Sequence, residues 1–600
     1  MRSERMDMLH ILLITQCLWG ALSVPLPNVI ELENVLDITE INKGLDMSEG
    51  DIAEDDQRSS IVRDSQWDSS VPYELDAGLD MNAKGIILRA FEQFRLKTCI
   101  DFKPRKSESH YISVEKQNGC WSYVGKNGMK QTLSIGKDCD HISFVEHEFL
   151  HALGFLHEQS RYDREDYITI NWKNVVPGMA YNFERYGEAI SSTLGTPYDY
   201  WSIMHYGQDA FSDKTGPTIR TNDASFQDVI GQRLEMSFYD VEEVNRLYKC
   251  EESVSFLEHC SFEDEGMCGM SSCGWKRVSR ADEGPHCDHT HLGTGKQGSF
   301  VHFSNLGEEP ALLTSRRMMP RRSCNVQCLQ FFYHHHGDET DQLNVWIREF
   351  DNVTDAGTRR LMGRISGSPV DYWQLHHVTL NASKTFQVEF EGLRGSGSSS
   401  GGFSVDDINL SETECPHHTW QIRNFSKALK NSAQTPFLYS PKYYSTDGYR
   451  FQIMLKMTKD HLGAFVRLVS GSNDDKLQWP CPWRQVTIEA LDQNSHLQHR
   501  MSAQISMTTD PMQMGQNASI WGNPRHVGVL DESSEGDYVT DGWGYKLFMT
   551  HKEMRSREFL KGEDMFFLIS MQDISSLAQG NALPCPNYAA ADTHQESPDA

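Results

Sequence analysis

Basic residues are scarce beside acidic ones in this chain of 600 residues: 56 Lys and Arg against 84 Asp and Glu, a net charge of −28. A general nucleic-acid surface needs a basic patch, so the composition argues against that class of partner. Long apolar runs are also lacking. The one candidate, Leu9 to Trp19, is short, terminal and preceded by Arg2 and Arg5. It reads as an export signal, with Ala21 and Ser23 as the small residues ahead of a cut after Ser23. No other stretch approaches the roughly eighteen apolar residues of a membrane span. The expectation is a secreted, extracellular chain with no membrane span of its own, held at the cell surface only through an anchored partner.

Residues 24–58 contain no cysteine, and ten acidic residues stand there against Lys43 and Arg58. By composition alone this stretch reads as a solvated acidic linker. The whole chain has fourteen cysteines, and Cys17 leaves with the signal. An odd number remains in an oxidising compartment, so at least one thiol is free or bonded to another chain. Sequons at Asn352, Asn381, Asn409, Asn424 and Asn517 point to glycosylation. Six hundred residues also exceed what one core organises, so several domains are expected.

What is present centres on His147–His157, His-Glu-Phe-Leu-His-Ala-Leu-Gly-Phe-Leu-His. His147 and His151 are four apart and share a helix face. Two such imidazoles can hold one zinc ion. Glu148 is placed to take a proton from a zinc-bound water and return it to a leaving amine. Gly154 can end the helix in the left-handed conformation, which brings His157 round as a third ligand. Three protein ligands leave an open position, the mark of a catalytic rather than a structural zinc site. The longer motif requires a later methionine turn, and Ser202-Ile203-Met204-His205-Tyr206 supplies one.

His147–His157, continuing as Glu158-Gln159-Ser160-Arg161-Tyr162-Asp163-Arg164, resembles the astacin family signature, and Ser-x-Met-His-Tyr resembles the astacin methionine turn. The downstream modules resemble those of meprins. The resemblance implies a zinc endopeptidase made as a zymogen, with residues 24–58 as propeptide and 59–251 as the protease. Asp51, in Ser48-Glu49-Gly50-Asp51, matches the aspartate of the family's Phe-x-Gly-Asp and would ligate zinc in place of water. Ser48 stands where the family has the aromatic, which weakens the expected docking. Arg58-Ser59 is the expected cut for an activating trypsin-like protease, with Arg63-Asp64 as the alternative. The new amino terminus at Ser59 would pair with Glu158. Tyr206 would be a reversible zinc ligand that stabilises the oxyanion, and Met204 an apolar floor beneath the histidines. Arg233, in Ile230-Gly231-Gln232-Arg233, matches an arginine that favours acidic residues after the cut, but Met179 stands at a second position that is basic in the beta type. The cysteines of this domain allow three pairings, and the resemblance implies Cys99 with Cys250 and Cys120 with Cys139.

Within the protease, apolar periodicity predicts a helix over 82–97 and a zinc helix capped by Asp140, with strands near 111–114 and 131–135. An upper α+β lobe, a less regular lower lobe and a cleft that binds extended peptide along an edge strand follow. Residues 258–416 alternate as half-buried strands at Leu343-Val345-Ile347 and Phe386-Val388-Phe390 and resemble a MAM domain. His334-His335-His336 reads as a solvated turn. Residues 417–576 alternate at Tyr449, Phe451, Ile453 and Leu455 and resemble a MATH domain, TRAF-like, with Met565–Ile569 as a central strand. Residues 577–600 read as a disordered tail containing Cys585. The fold expected is multidomain: an α+β metzincin protease followed by two β-sandwiches. The cysteine that links meprin MAM domains is absent from Leu292-Gly293-Thr294-Gly295. Cys287 is the nearby substitute, and Cys273 and Cys324 are left to pair with each other or with it. Homo- or hetero-oligomers through the sandwiches are expected, with protein and peptide substrates. The competing reading is a secreted adhesion protein with an inactive protease domain. An intact histidine triad with Glu148 and Tyr206 argues against it.

Overall fold

The computed structural model describes residues 28–32, 35–54, 66–188, 191–304, 310–397, 401–515, 518–531, 534 and 536–586. The expected cuts at Arg58 and Arg63, the new terminus Ser59, the export signal and the sequon Asn517 lie outside them. Among the described residues no helix is long and apolar enough to cross a membrane.

The segment ahead of the protease is ordered where composition predicted a linker. It begins with a strand, β1 (Val29–Leu32), and a short helix, α1 (Ile38–Ile41), capped by Asp37. Ile38, Glu49, Asp51 and Ile52 are buried. Sequence periodicity missed this because the segment packs against other domains and not on itself.

The protease upper lobe is a five-stranded sheet. Its strands are β2 (Ser70–Leu75), β3 (Asp101–Pro104), β4 (Tyr111–Glu115), β5 (Cys120–Trp121) and β6 (Lys130–Ile135), in the order β3-β2-β4-β6-β5. All neighbours are parallel except β5, which is antiparallel on the edge. The helix α2 (Met81–Lys97) buries the predicted stripe of Ile86, Ile87, Ala90, Phe91 and Phe94 against this sheet. Phe91 stacks on Phe102 at 4.3 Å and meets Phe149 of the zinc helix edge-on at 4.9 Å. Each such ring contributes about 1.5–3 kcal/mol by burial. The zinc helix, α3, spans Ile142–Leu153, and its N-cap position is His141. The expected cap, Asp140, instead accepts a hydrogen bond from Asn82 Nδ2 at 2.7 Å. Its carboxylate is drawn off to the neighbouring helix, a contact that local spacing does not reveal. The lower lobe holds the two-stranded β7 (Ile168–Ile170) and β8 (Ile219–Thr221) and the closing helix α4 (Phe238–Tyr248), started by a Ser237–Asp240 capping box.

Two β-sandwiches follow. The first pairs a five-stranded sheet with a six-stranded one between Phe256 and Ser411. Leu343, Val345, Ile347, Phe386, Val388 and Phe390 fill its core as the alternation predicted. His334 and His335 are buried at the end of the strand Gln327–His335 and do not form a solvated turn. His335 stacks on Phe403 at 4.1 Å, so tertiary packing replaces the water that a run of polar residues suggested. The second sandwich has Met565–Asp573 inside a four-stranded sheet, and Tyr449, Phe451, Ile453 and Leu455 in its core. Asn409 is fully buried, with its amide donating to Asp407 O and Ser495 O, so that sequon is a strut between the sandwiches and no place for a glycan.

The disulfides are Cys99–Cys250, Cys120–Cys139, Cys260–Cys268, Cys328–Cys415 and Cys324–Cys585. The first two are those the resemblance implied. Cys324 does not pair with Cys273 or Cys287, because Cys585 reaches it from the C-terminal segment. That segment is not a free tail over its described length: Asn581 accepts hydrogen bonds from Tyr73 Oη and the Leu75 amide. Cys273, Cys287 and Cys481 are free.

Candidate active site

Helical spacing brings His147 and His151 to one face of α3. Gly154, with φ +110°, lets the chain reverse so that His157 returns to the same point. Each imidazole is held through Nδ1. His147 Nδ1 donates to Ile203 O at 2.9 Å, His151 Nδ1 to Phe155 O at 2.8 Å, and His157 Nδ1 to Glu49 Oε2 at 2.7 Å. These outer partners fix each ring's orientation, so all three Nε2 atoms face inward. There they meet Asp51. Its oxygens lie 3.1 Å from His147 Nε2, 3.4 Å from His151 Nε2 and 3.3 Å from His157 Nε2. Burial alone would raise the Asp51 carboxyl, but the charge of His157 and hydrogen bonds from His147 and His157 take it well below the usual range.

These four ligand atoms lie within 4.8 Å of one another, all buried. His151 Nε2 and Asp51 Oδ1 have no hydrogen-bond partner. Buried polar atoms are rarely left so, and one cation of borderline softness satisfies three imidazole nitrogens and a carboxylate together. The donor set fits zinc.

Glu148 is fully buried on α3, and neither carboxylate oxygen has a hydrogen-bond partner. Burial, then the charge of Asp51, push its pKa well above the usual value, with Arg233 partly opposing. Tyr206 is buried beside His157, ring centroids 4.7 Å apart, and its hydroxyl donates to Glu49 O. Burial, with Glu49 and Asp51 nearby, keeps that phenol protonated. Met204 is buried in the turn, and its carbonyl accepts from the Glu158 amide at 3.1 Å. Glu158 is engaged with Arg161 Nη1 at 3.0 Å and the Asp199 amide at 2.7 Å. Arg233 donates to Ile203 O at 3.1 Å, and its Nη2 lies 3.0 Å from Asp37 Oδ2 of the leading segment.

That leading segment fills the cleft. Ile52 bridges Ser122 in parallel, with Ala53 N donating to Ser122 O and Ser122 N to Asp51 O, so the upper edge is taken. Asn42 Nδ2 donates to Gly50 O at 2.9 Å, and its Oδ1 accepts from Cys120 N at 2.9 Å. Gly50 has φ +82°, and a Cβ there would sit 2.8 Å from the Phe211 ring. Only glycine brings Asp51 to the histidines by this turn. Glu49 was not singled out from sequence. Its place beside Gly50-Asp51 was the available signal. Ser160 Oγ also donates to it at 3.0 Å.

A profile of the astacin peptidase family matches residues 60–249. A MAM domain profile, meprin/A5/mu, matches 260–416, and a MATH domain profile matches 417–571. Meprin A subunit beta of Mus musculus is 48% identical over 568 residues, covering 92% of this chain and 80% of that one. Meprin A subunit alpha of Rattus norvegicus is 40% identical over 579 residues, covering 92% and 77%. Among solved structures, high choriolytic enzyme 1, a hatching enzyme zinc-protease from Oryzias latipes, is 41% identical, covers 30% of this chain and 90% of its own, and has a TM-score of 0.29. The buried histidine triad, the matched profiles and the identity to meprin subunits together make this chain a member of the astacin family of zinc metalloendopeptidases, of the meprin type.

Proposed function

We propose that this metalloendopeptidase is exported as a zymogen, is opened by trypsin-like cleavage near Arg58, and prefers acidic residues after the scissile bond. The carrying observation is Asp51 among the three Nε2 atoms, where a water would otherwise stand. The leading segment thus reads as an inhibitory propeptide.

His147, His151 and His157 would hold zinc, which when bound polarises a carbonyl and lowers the pKa of bound water to about 7. Removing the propeptide takes the Asp51 charge from beside Glu148, so the carboxylate form becomes easier to reach. Glu148 then accepts the proton of the attacking water and delivers it to the leaving nitrogen. Tyr206 exchanges its bond to Glu49 O for one to the developing oxyanion. Glu158 exchanges part of its bonding to Arg161 for the new amine at Ser59, a charge that needs a buried partner. Arg233, now paired with Asp37, is free to take a substrate carboxylate through its guanidinium fork. Its present partner supports the acidic preference, because a propeptide carboxylate already occupies that place.

Extracellular residence fits the disulfides and the meprin relatives. Assembly through the sandwiches belongs to the same proposal, with Cys273 exposed and free for a second chain. The deciding experiment is cleavage of a broad peptide library before and after trypsin. Activity should appear only after trypsin, favour Asp or Glu after the cut, and fall by about 10²–10⁴-fold in Glu148→Ala. A trimmed, zinc-loaded chain that cuts nothing would favour the adhesion reading.

A further inference from the structure

The first strand of the leading segment is seated on a surface that the chemistry does not use. β1 runs parallel to Gly542–Thr550, with Val29, Ile30, Glu31 and Leu32 opposite Gly542, Trp543, Gly544 and Tyr545. On its other side Gly542–Thr550 pairs with His461–Leu468, so removal of β1 leaves it as the edge of the MATH sheet. An edge offers a row of unpaired N–H and C=O groups to any extended chain. This edge also adjoins the catalytic domain: the Tyr545 ring meets His141, the N-cap position of the zinc helix, at 5.6 Å. One continuous chain therefore reaches the zinc ligands and the MATH edge together. The eighteen residues 33–50 join Leu32 to Asp51.

We infer that the activated enzyme uses this vacated edge as an exosite for extended segments of its protein substrates. The inference rests on the zymogen reading, since the edge is free only once the propeptide has left. The occupant it fits is a run of aliphatic residues carrying one carboxylate. Lys456 Nζ lies 2.6 Å from Glu31 Oε1. A Cβ on Gly542 would come within 3.1 Å of Val29 Cγ1, so the glycine leaves room for a branched side chain. A substrate held at both points gains through effective concentration, and the gain belongs in KM.

The test uses the full chain, zinc-loaded and trypsin-treated. A short peptide carries a cut site alone. Long peptides add Val-Ile-Glu-Leu eighteen residues before or after the same site, and controls carry that segment scrambled with proline. In parallel, fluorescence anisotropy follows a labelled peptide of residues 24–36, which reads the edge without catalysis. Saturable anisotropy is expected, with kcat/KM raised at least about fivefold for one placement, through KM. The free 24–36 peptide should abolish that advantage without slowing the short peptide, and Lys456→Ala should reduce it. Equal kcat/KM for long peptides and their controls, or no binding of the labelled peptide, overturns the inference. A propeptide fragment still bound after trypsin, seen by native mass spectrometry, overturns it as well. Failure on the short peptide with intact anisotropy tells against the activation reading and leaves the edge standing.

Discussion

The two ends of the leading segment grip the molecule by different physics. At Asp51 the contact is made by side chains. One carboxylate meets three imidazoles in a fully buried site, with Glu49 behind His157 and Asn42 holding the backbone. At β1 the contact is made by backbone, four residues long, with one partly exposed ion pair at its rim. The first kind tolerates almost no change of residue. The second tolerates nearly any residue that stays extended. Latency should therefore depend steeply on Asp51 and shallowly on the strand, while the strand surface is the one open to other chains.

The largest effect tests the steep end. Asp51→Ala removes a buried, paired charge, a change of about 3–5 kcal/mol that converts to roughly 10²–10⁴-fold. The uncut chain should gain that much activity, measured on a short fluorogenic peptide without trypsin. Next is Arg233→Ala in the activated enzyme. A hydrogen bond to a charged group is worth about 1.5–3 kcal/mol, so kcat/KM for peptides with Asp or Glu after the cut should fall about 10–100-fold. Peptides with alanine there should change far less, and equal losses on both would remove Arg233 from specificity.

Acid probes the sandwich domains. His289 and His334 are buried in the first sandwich, and burial, against hydrogen bonding to Asp407 and the charge of Asp371 respectively, brings each to about 4 from an ordinary 6.5. Between those values the unfolded chain binds more protons than the folded one. The stability they contribute is complete above about pH 6.5 and is lost as pH falls toward about 4, by up to about 1.4 kcal/mol per unit for each group. Calorimetry from pH 7 to 5 should show the sandwich transition moving down, and His289→Asn should flatten the dependence. The smallest effect belongs to the shallow end. Lys456→Ala removes an ion pair whose side chains are about a third exposed, a loss of about 0.2–1 kcal/mol. It should raise the activity of the uncut chain less than about sixfold. A rise matching that of Asp51→Ala would erase the distinction between the two ends.

Much of the catalytic centre was legible because its chemistry dictates spacing. A helix places ligands four apart, Gly154 turns the chain, and one more histidine completes the set. The same logic reached Asp51 and the methionine turn through the family pattern. The stripe on α2 and the alternating strands of both sandwiches were legible because each buries one face. Glu49, Asp37 and Asn42 were not, since each acts on a residue far away in sequence. Nor was the burial of His334, His335 and Asn409, whose polarity reads as solvent until another layer covers them.

By itself, then, the sequence determined the three zinc-site histidines, the three-part architecture and an acidic chain with many cysteines. These follow from local periodicity, spacing and composition, and for the domain order from the family resemblance. Only the tertiary structure decided that Cys585 closes on Cys324, that Arg233 already holds a carboxylate, and that one short segment spans from the zinc ligands to the edge of the MATH sheet. Those facts depend on which surfaces meet across hundreds of residues, and backbone pairing between distant segments leaves almost no mark on the residues that make it.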